Sequence, residues 1–209
     1  MTGNAASNPD SAMLDLVFPL HGHALEPDPA LALQQAVLQA CPLLQNDACS
    51  GIHPLRLVPS GEQALLSQRS RLLLRVRRAQ LPQLLALSNQ TLVLGPHQLL
   101  LGDGYARELL PHTTLYAHSV ASPAGADELG FMDWVAQQLQ ALQVQAHVVC
   151  GKQHMRLGPD GPLHAFSLML HGLGSAQALR VLEQGLGPLR LLGCGLFVAH
   201  KSAAAVSDW

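Results

Sequence analysis

Charged and aromatic side chains are both scarce in this 209-residue chain: 12% of its residues are charged, and it holds two Trp, two Tyr and four Phe. None of these aromatics forms an aromatic-rich RNA-recognition strand, so base stacking on single strands is a poor primary contact. With a formal net charge of -2, indiscriminate coating of nucleic acid is disfavoured too. Cysteine is limited to Cys41, Cys49, Cys150 and Cys194. No CxxC pair is present, which disfavours a zinc ribbon and a disulfide framework and leads us to expect reduced, mostly buried thiols. The apolar runs at 14–18 and 72–76 are too short to span a bilayer, and residues 1–11 lack the basic start and apolar middle of a signal peptide. A cytoplasmic protein without a membrane partner is expected.

What is present is a hydrophobic content of 48%, enough for a substantial core. Residues 14–20 read as a strand, and Asp28-Pro29 supplies an N-cap and a first-turn proline for a helix over 29–41. Strands at 52–58 and 72–76 follow, then a short helix over 81–87 and a hairpin, 91–94 and 97–101, around Gly95-Pro96. The order is β-α-β-β-α-β. It repeats as a strand at 113–120, a helix over 127–142, strands at 145–149 and 163–171, a helix capped by Ser175 and running to Gly185, and a last strand at 191–198. The expected fold is therefore α+β, two tandem ferredoxin-like (RRM-like) units, each an antiparallel sheet with both helices on one face. The expected layout is a flexible start over 1–13, a first domain over 14–121, a linker over 122–126 containing Pro123 and Gly125, and the rest of a second domain over 127–209, whose first strand is 113–120.

One face of such a sheet is expected to be free, and basic residues are concentrated on one strand. Arg69, Arg71, Arg75, Arg77 and Arg78 lie together with no acidic residue among them. Phosphate contact through Arg75, Arg77 and Arg78 is one reading; a solvated strand edge is the other. Near the C-terminus, Gly185, Gly187, Gly193 and Gly195 form two G-x-G pairs flanking Arg190. Glycine permits positive φ and close approach of main-chain N–H groups to an anion, so this loop is a candidate phosphate cradle, although helix caps and tight turns also demand glycine.

The pattern G-x-G-x5-G-x-G, ending in Gly193-Cys194-Gly195-Leu196-Phe197-Val198, resembles the glycine-rich loop of the CRISPR-associated repeat-processing endoribonucleases, the Cas-six family. Leu182-Glu183-Gln184, Gly51-Ile52-His53-Pro54 and Ser70-Arg71-Leu72 resemble its compact myxobacterial-type variant. The resemblance implies binding of a CRISPR repeat hairpin RNA and metal-independent cleavage of precursor transcripts into guide RNAs, with no cofactor and with other effector-complex subunits as further partners. The 2′-OH would attack the adjacent phosphorus, leaving a 2′,3′-cyclic phosphate and a 5′-OH. That chemistry needs a base, an acid and cations near the phosphate.

Histidine suits the proton transfers. The resemblance implies a catalytic His on or just before the first helix, and Pro29 stands where the compact variant often carries one. His23 therefore ranks first as base, His21 second and His53 third, with a purely structural role beside Pro54 as the other reading of His53. Lys152 and Arg156 are candidate phosphate contacts or, equally, solvent-facing turn residues. His154, between them, is an outlying candidate. His112, His118, His147, His164, His171 and His200 show no ligand spacing and read as structural. Two rivals stand beside cleavage: a repeat-binding subunit that cuts slowly or not at all, and an unrelated structural or ligand-binding protein of the same fold.

Overall fold

A computed structural model describes residues 11–200; residues 1–10 of the expected flexible start over 1–13, and residues 201–209, lie outside the described residues. Ser11 and Met13 are buried, with the Ser11 hydroxyl donating to Glu183. In the first half the elements are β1 (Met13–His21), β2 (Ala24–Leu25), α1 (Ala30–Ala40), β3 (Gly51–Ile52), β4 (Val58–Ser60), β5 (Gln63–Leu65), β6 (Arg71–Arg77), α2 (Leu81–Leu84), β7 (Thr91–Leu94), β8 (His97–Leu101) and β9 (Tyr105–Glu108). In the second they are β10 (Thr114–Ala121), α3 (Glu128–Ala141), β11 (His147–Gly158), β12 (Gly161–His171), α4 (Ser175–Gln184) and β13 (Val198–Ala199). The fold is mixed α+β with antiparallel sheets. Among the described residues no helix is long and apolar enough to cross a membrane.

The first sheet runs β3-β6-β1-β8-β7, with β9 also paired to β1. Leu14, Leu16 and Phe18 alternate on one face of β1 and share a core with Leu33 and Val37 of α1. The second sheet runs β11-β12-β10-β13, and its core joins Leu115, Phe131, Leu168 and Val181. A small third sheet, β2-β5-β4, was not foreseen, nor was β9.

The strand expected over 145–149 runs on to Gly158 as β11, carrying His154 and Arg156, and three further elements differ. The strand over 52–58 stops after Ile52, because Pro54 has no N–H to give a ladder. The last strand shrinks to Val198–Ala199, preceded by a 3₁₀ turn at Arg190–Leu192. Gly193 and Gly195 take φ of 81° and 65° there, outside the extended region. The third is at α4, whose N-cap is Gly174, not Ser175. All four cysteines are free; Cys41 and Cys194 are buried, Cys49 and Cys150 half-buried.

Candidate functional site

A cavity of about 340 Å³ opens where the two halves meet. The first half contributes Asp28 and Ala30 at the start of α1, and His53 just after β3; the second contributes His118 of β10 and His154 and Arg156 of β11. Arg156 crosses the junction, with its guanidinium 3.3 Å from the Asp28 carboxylate and donating to the Leu192 carbonyl at 3.0 Å. His154 and Arg156 share one face of β11 because side chains alternate along a strand.

Two β-bulges shape the wall. On β10, His118 and Ser119 together oppose Ser167 of β12; on β11, Gly151 and Lys152 oppose the same Ser167. A bulge re-aims the side chains around it. Beyond the bulges, His154 of β11 and Ala121 of β10 flank Ala165 of β12, whose small side chain leaves room for contact across the middle strand. The His118 and His154 rings meet at a tilt of 32° with centroids 5.5 Å apart, and His154 Nε2 lies 3.2 Å from the buried Ser119 hydroxyl. Partial burial lowers the His118 pKa below its ordinary value, and His154 and Arg156 lower it further.

His53 is buried at the cavity wall, its Nε2 3.6 Å from Asp15 and without a hydrogen-bond partner. Burial lowers its pKa and outweighs the opposing pull of Asp15, with Arg75 and Arg107 reinforcing the fall. Burial alone would raise the Asp15 carboxyl, but Arg75 and His53 hold it well below the ordinary carboxylate range.

The other expected site residues divide sharply. His21 and His23 are exposed and do not line the cavity. Arg75 is 1% exposed: Nε and Nη2 bind Asp15 at 3.0 and 3.3 Å, and Nη1 donates to the carbonyls of Leu182 and Phe197. It is an internal tie between the halves, and the sheet face expected to be free is covered here by the second half. Arg190 also points inward, donating to the carbonyls of Gln184 and Glu183 at the end of α4; burial, then Arg75, lowers its pKa to about 10. Phosphate contact by Arg75 or Arg190 is therefore corrected to a structural role. Arg77 pairs with Asp47 at 2.9 Å and Arg78 with Glu108 at 2.5 Å, so both cations are partly neutralised at the surface. Lys152 is exposed on the β11 bulge.

All four loop glycines have positive φ, but their neighbours are protein. A Cβ on Gly195 or Gly185 would strike backbone oxygen of Leu186 or Gly195, one on Gly193 would come within 2.9 Å of Pro54, and one on Gly187 within 2.8 Å of Trp134. Close chain packing already accounts for these glycines. Sequence reading missed His118 and undervalued His154. The available signal was the two-residue spacing of His154 and Arg156 on one strand; nothing local marks the bulge that brings His118 beside them.

Two antiparallel sheets with histidines and an arginine converging at their junction define an α+β protein whose cavity sets imidazoles beside a guanidinium. The family model described as Cas6 Crispr matches residues 14–202, and the chain belongs to the Cas6 family. It is 33% identical over 195 residues to the CRISPR-associated endonuclease Cas6 of Myxococcus xanthus (strain DK1622), covering 93% of this chain and 85% of that protein. A solved CRISPR associated protein Cas6 shares the fold with a TM-score of 0.66 at 9% identity, covering 90% of this chain and 100% of that one. Thermus thermophilus Cse3, solved with an RNA representing a pre-cleavage complex, has a TM-score of 0.51 at 15% identity, covering 90% of this chain and 98% of that one.

Proposed function

We propose that this chain binds CRISPR repeat hairpin RNA and cuts precursor transcripts into guide RNAs, without a metal, at the cavity between its halves. The observation that carries the reading is the convergence of His53, His118, His154 and Arg156 on one cavity of a Cas6-family chain. The name of the Myxococcus xanthus relative, a CRISPR-associated endonuclease, supports the same activity. In the reaction the 2′-OH loses its proton and its oxygen bonds to the adjacent phosphorus, while the bond from phosphorus to the 5′ oxygen breaks and that oxygen gains a proton. The fragments carry a 2′,3′-cyclic phosphate and a 5′-OH. Neutral imidazole accepts protons at cellular pH, and a guanidinium beside the non-bridging oxygens offsets the charge that builds on them. Each half runs β-α-β-β-α-β with its first and third main strands paired at the centre, which supports two tandem ferredoxin-like units joined near 122–126.

The test is a labelled hairpin repeat RNA incubated with the protein in excess chelator, followed by end-group analysis. Cutting that leaves a cyclic phosphate and a 5′-OH is expected. Tight binding without cutting would make the chain a hairpin-holding subunit, and neither binding nor cutting would overturn the reading.

A further inference from the structure

The paired bulges assign a role to a histidine that no sequence pattern singles out. We propose that His118 is the catalytic base that takes the 2′-OH proton, and that His154 is the positioning residue that holds its ring in place; this rests on the cleavage reading above.

Geometry carries the assignment. His118 stands on a bulge, is exposed, and lines the cavity. His154 is fixed at both ring nitrogens, with Nε2 3.2 Å from Ser119 Oγ and Nδ1 3.4 Å from the Lys152 carbonyl, so its ring makes a braced platform. The His118 ring packs against that platform at a tilt, centroids 5.5 Å apart, and has no such ring-nitrogen bond of its own among the described contacts, which leaves its nitrogens to meet a substrate. Arg156, on the same face of β11 as His154, is anchored by Asp28, which offsets part of its charge, and by the Leu192 carbonyl, and places a fixed guanidinium in the same cavity. A phosphate held there brings its neighbouring 2′-OH toward His118. His118 accepts the proton, O2′ bonds to phosphorus, the bond to O5′ breaks, and water protonates the departing oxygen.

The charged and titratable groups around His118 are His154 and Arg156 on β11, Lys152 on the β11 bulge, and Asp28 and His53 across the cavity. Partial burial first, and then His154 and Arg156, act to keep His118 neutral, the state a base requires. A pH profile can therefore separate a positioning role from simple structural support. If His154 sets both the place and the charge environment of His118, His154→Asn returns the His118 pKa toward its ordinary value. The rising limb of the cleavage profile then moves to higher pH.

The experiment measures single-turnover cleavage of hairpin repeat RNA in chelator across pH, with hairpin affinity measured in parallel, for wild type and for His118→Ala, His118→Gln, His154→Asn, His53→Ala and His23→Ala. His118→Ala and His118→Gln are expected to cut on the order of 10²-fold more slowly or worse at unchanged affinity. Both should lose the rising limb, and added imidazole should partly restore His118→Ala. His154→Asn is expected to slow cleavage less and to shift the limb to higher pH. Circular dichroism of each variant separates loss of chemistry from loss of fold, and His118→Gln keeps a polar side chain should the alanine variant unfold. Wild-type rates in folded His118 variants would overturn the assignment while cleavage itself stands, and the His53 and His23 variants would show where the base lies. A slower His154→Asn with an unmoved limb would reject its positioning role. Absence of cutting by the wild type would overturn the cleavage reading and this assignment together.

Discussion

Arg75 shows how one side chain's surroundings reverse its role. On β6 it stands directly opposite Asp15 of β1, and its guanidinium also reaches main-chain carbonyls of the second half. Removing one partner of a buried ion pair costs about 3–5 kcal/mol when the other charge is left unmatched; Arg107, 2.8 Å from Asp15, keeps part of that match and holds the cost toward the lower end. Arg75→Ala is therefore expected to lower stability by that order in urea unfolding, while the salt dependence of RNA binding by the folded fraction stays unchanged. A stable variant with a shallower salt slope would return Arg75 to the RNA surface.

His53 gives the pH counterpart. In the unfolded chain its imidazole titrates near about 6.5, and burial lowers that value in the folded state. Above about 6.5 neither state holds the proton and stability is unaffected. Below it the unfolded chain binds a proton that the folded state does not, so stability falls as pH drops toward the folded pKa. His53→Asn is expected to flatten the stability curve between about pH 7.5 and about pH 5.5, reducing its slope by up to about 1 kcal/mol per pH unit. The check is the urea midpoint at several pH values; an unchanged slope would mean that His53 is charged in the fold.

At the scale of elements, the glycine-rich segment between α4 and β13 is a packing device before it is anything else. Gly195 combines a φ of 65° with the Leu186 carbonyl pressed against it, whereas Gly61 has a φ of 60° and open space around it. Gly61→Ala should thus cost only the left-handed backbone term, roughly 1–2 kcal/mol. Gly195→Ala should cost clearly more, because the backbone of Leu186 must also move. Thermal unfolding of the two variants checks this, and equal losses would refute the packing account. The arginine strand is read the same way: Asp47 and Glu108, distant in sequence, come to Arg77 and Arg78 through the fold and offset the charge that their spacing advertises.

For the whole molecule, the two cores are joined by polar ties as well as by chain. Arg75 reaches Leu182 and Phe197, and Arg156 reaches Asp28. Such ties couple the halves, so unfolding is expected as one transition, with Trp134 fluorescence in a Trp209→Phe background, which reports the second core, and far-UV circular dichroism, which reports both, giving the same midpoint. Separate midpoints would mean that the halves unfold independently. The same junction contains the cavity, which links the integrity of the proposed site to the coupling between the halves.

Hydrophobic periodicity and punctuation, acting over a few residues, were enough to place β1, α1, β6, the β7–β8 hairpin, β10, α3 and α4 within a residue or two. These signals are local, and so they were legible. The glycine-rich loop carried the family resemblance for the same reason. What came from tertiary structure alone was which polar side chains meet. The burial of Arg75 and Arg190 depends on a second half folding over the first sheet, and the cavity depends on Asp28, His53, His118, His154 and Arg156 arriving from separate elements. Two bulges opposite Ser167 then set where His118 and His154 point. A bulge is a matter of register between strands distant in sequence, and no local pattern in either strand specifies it.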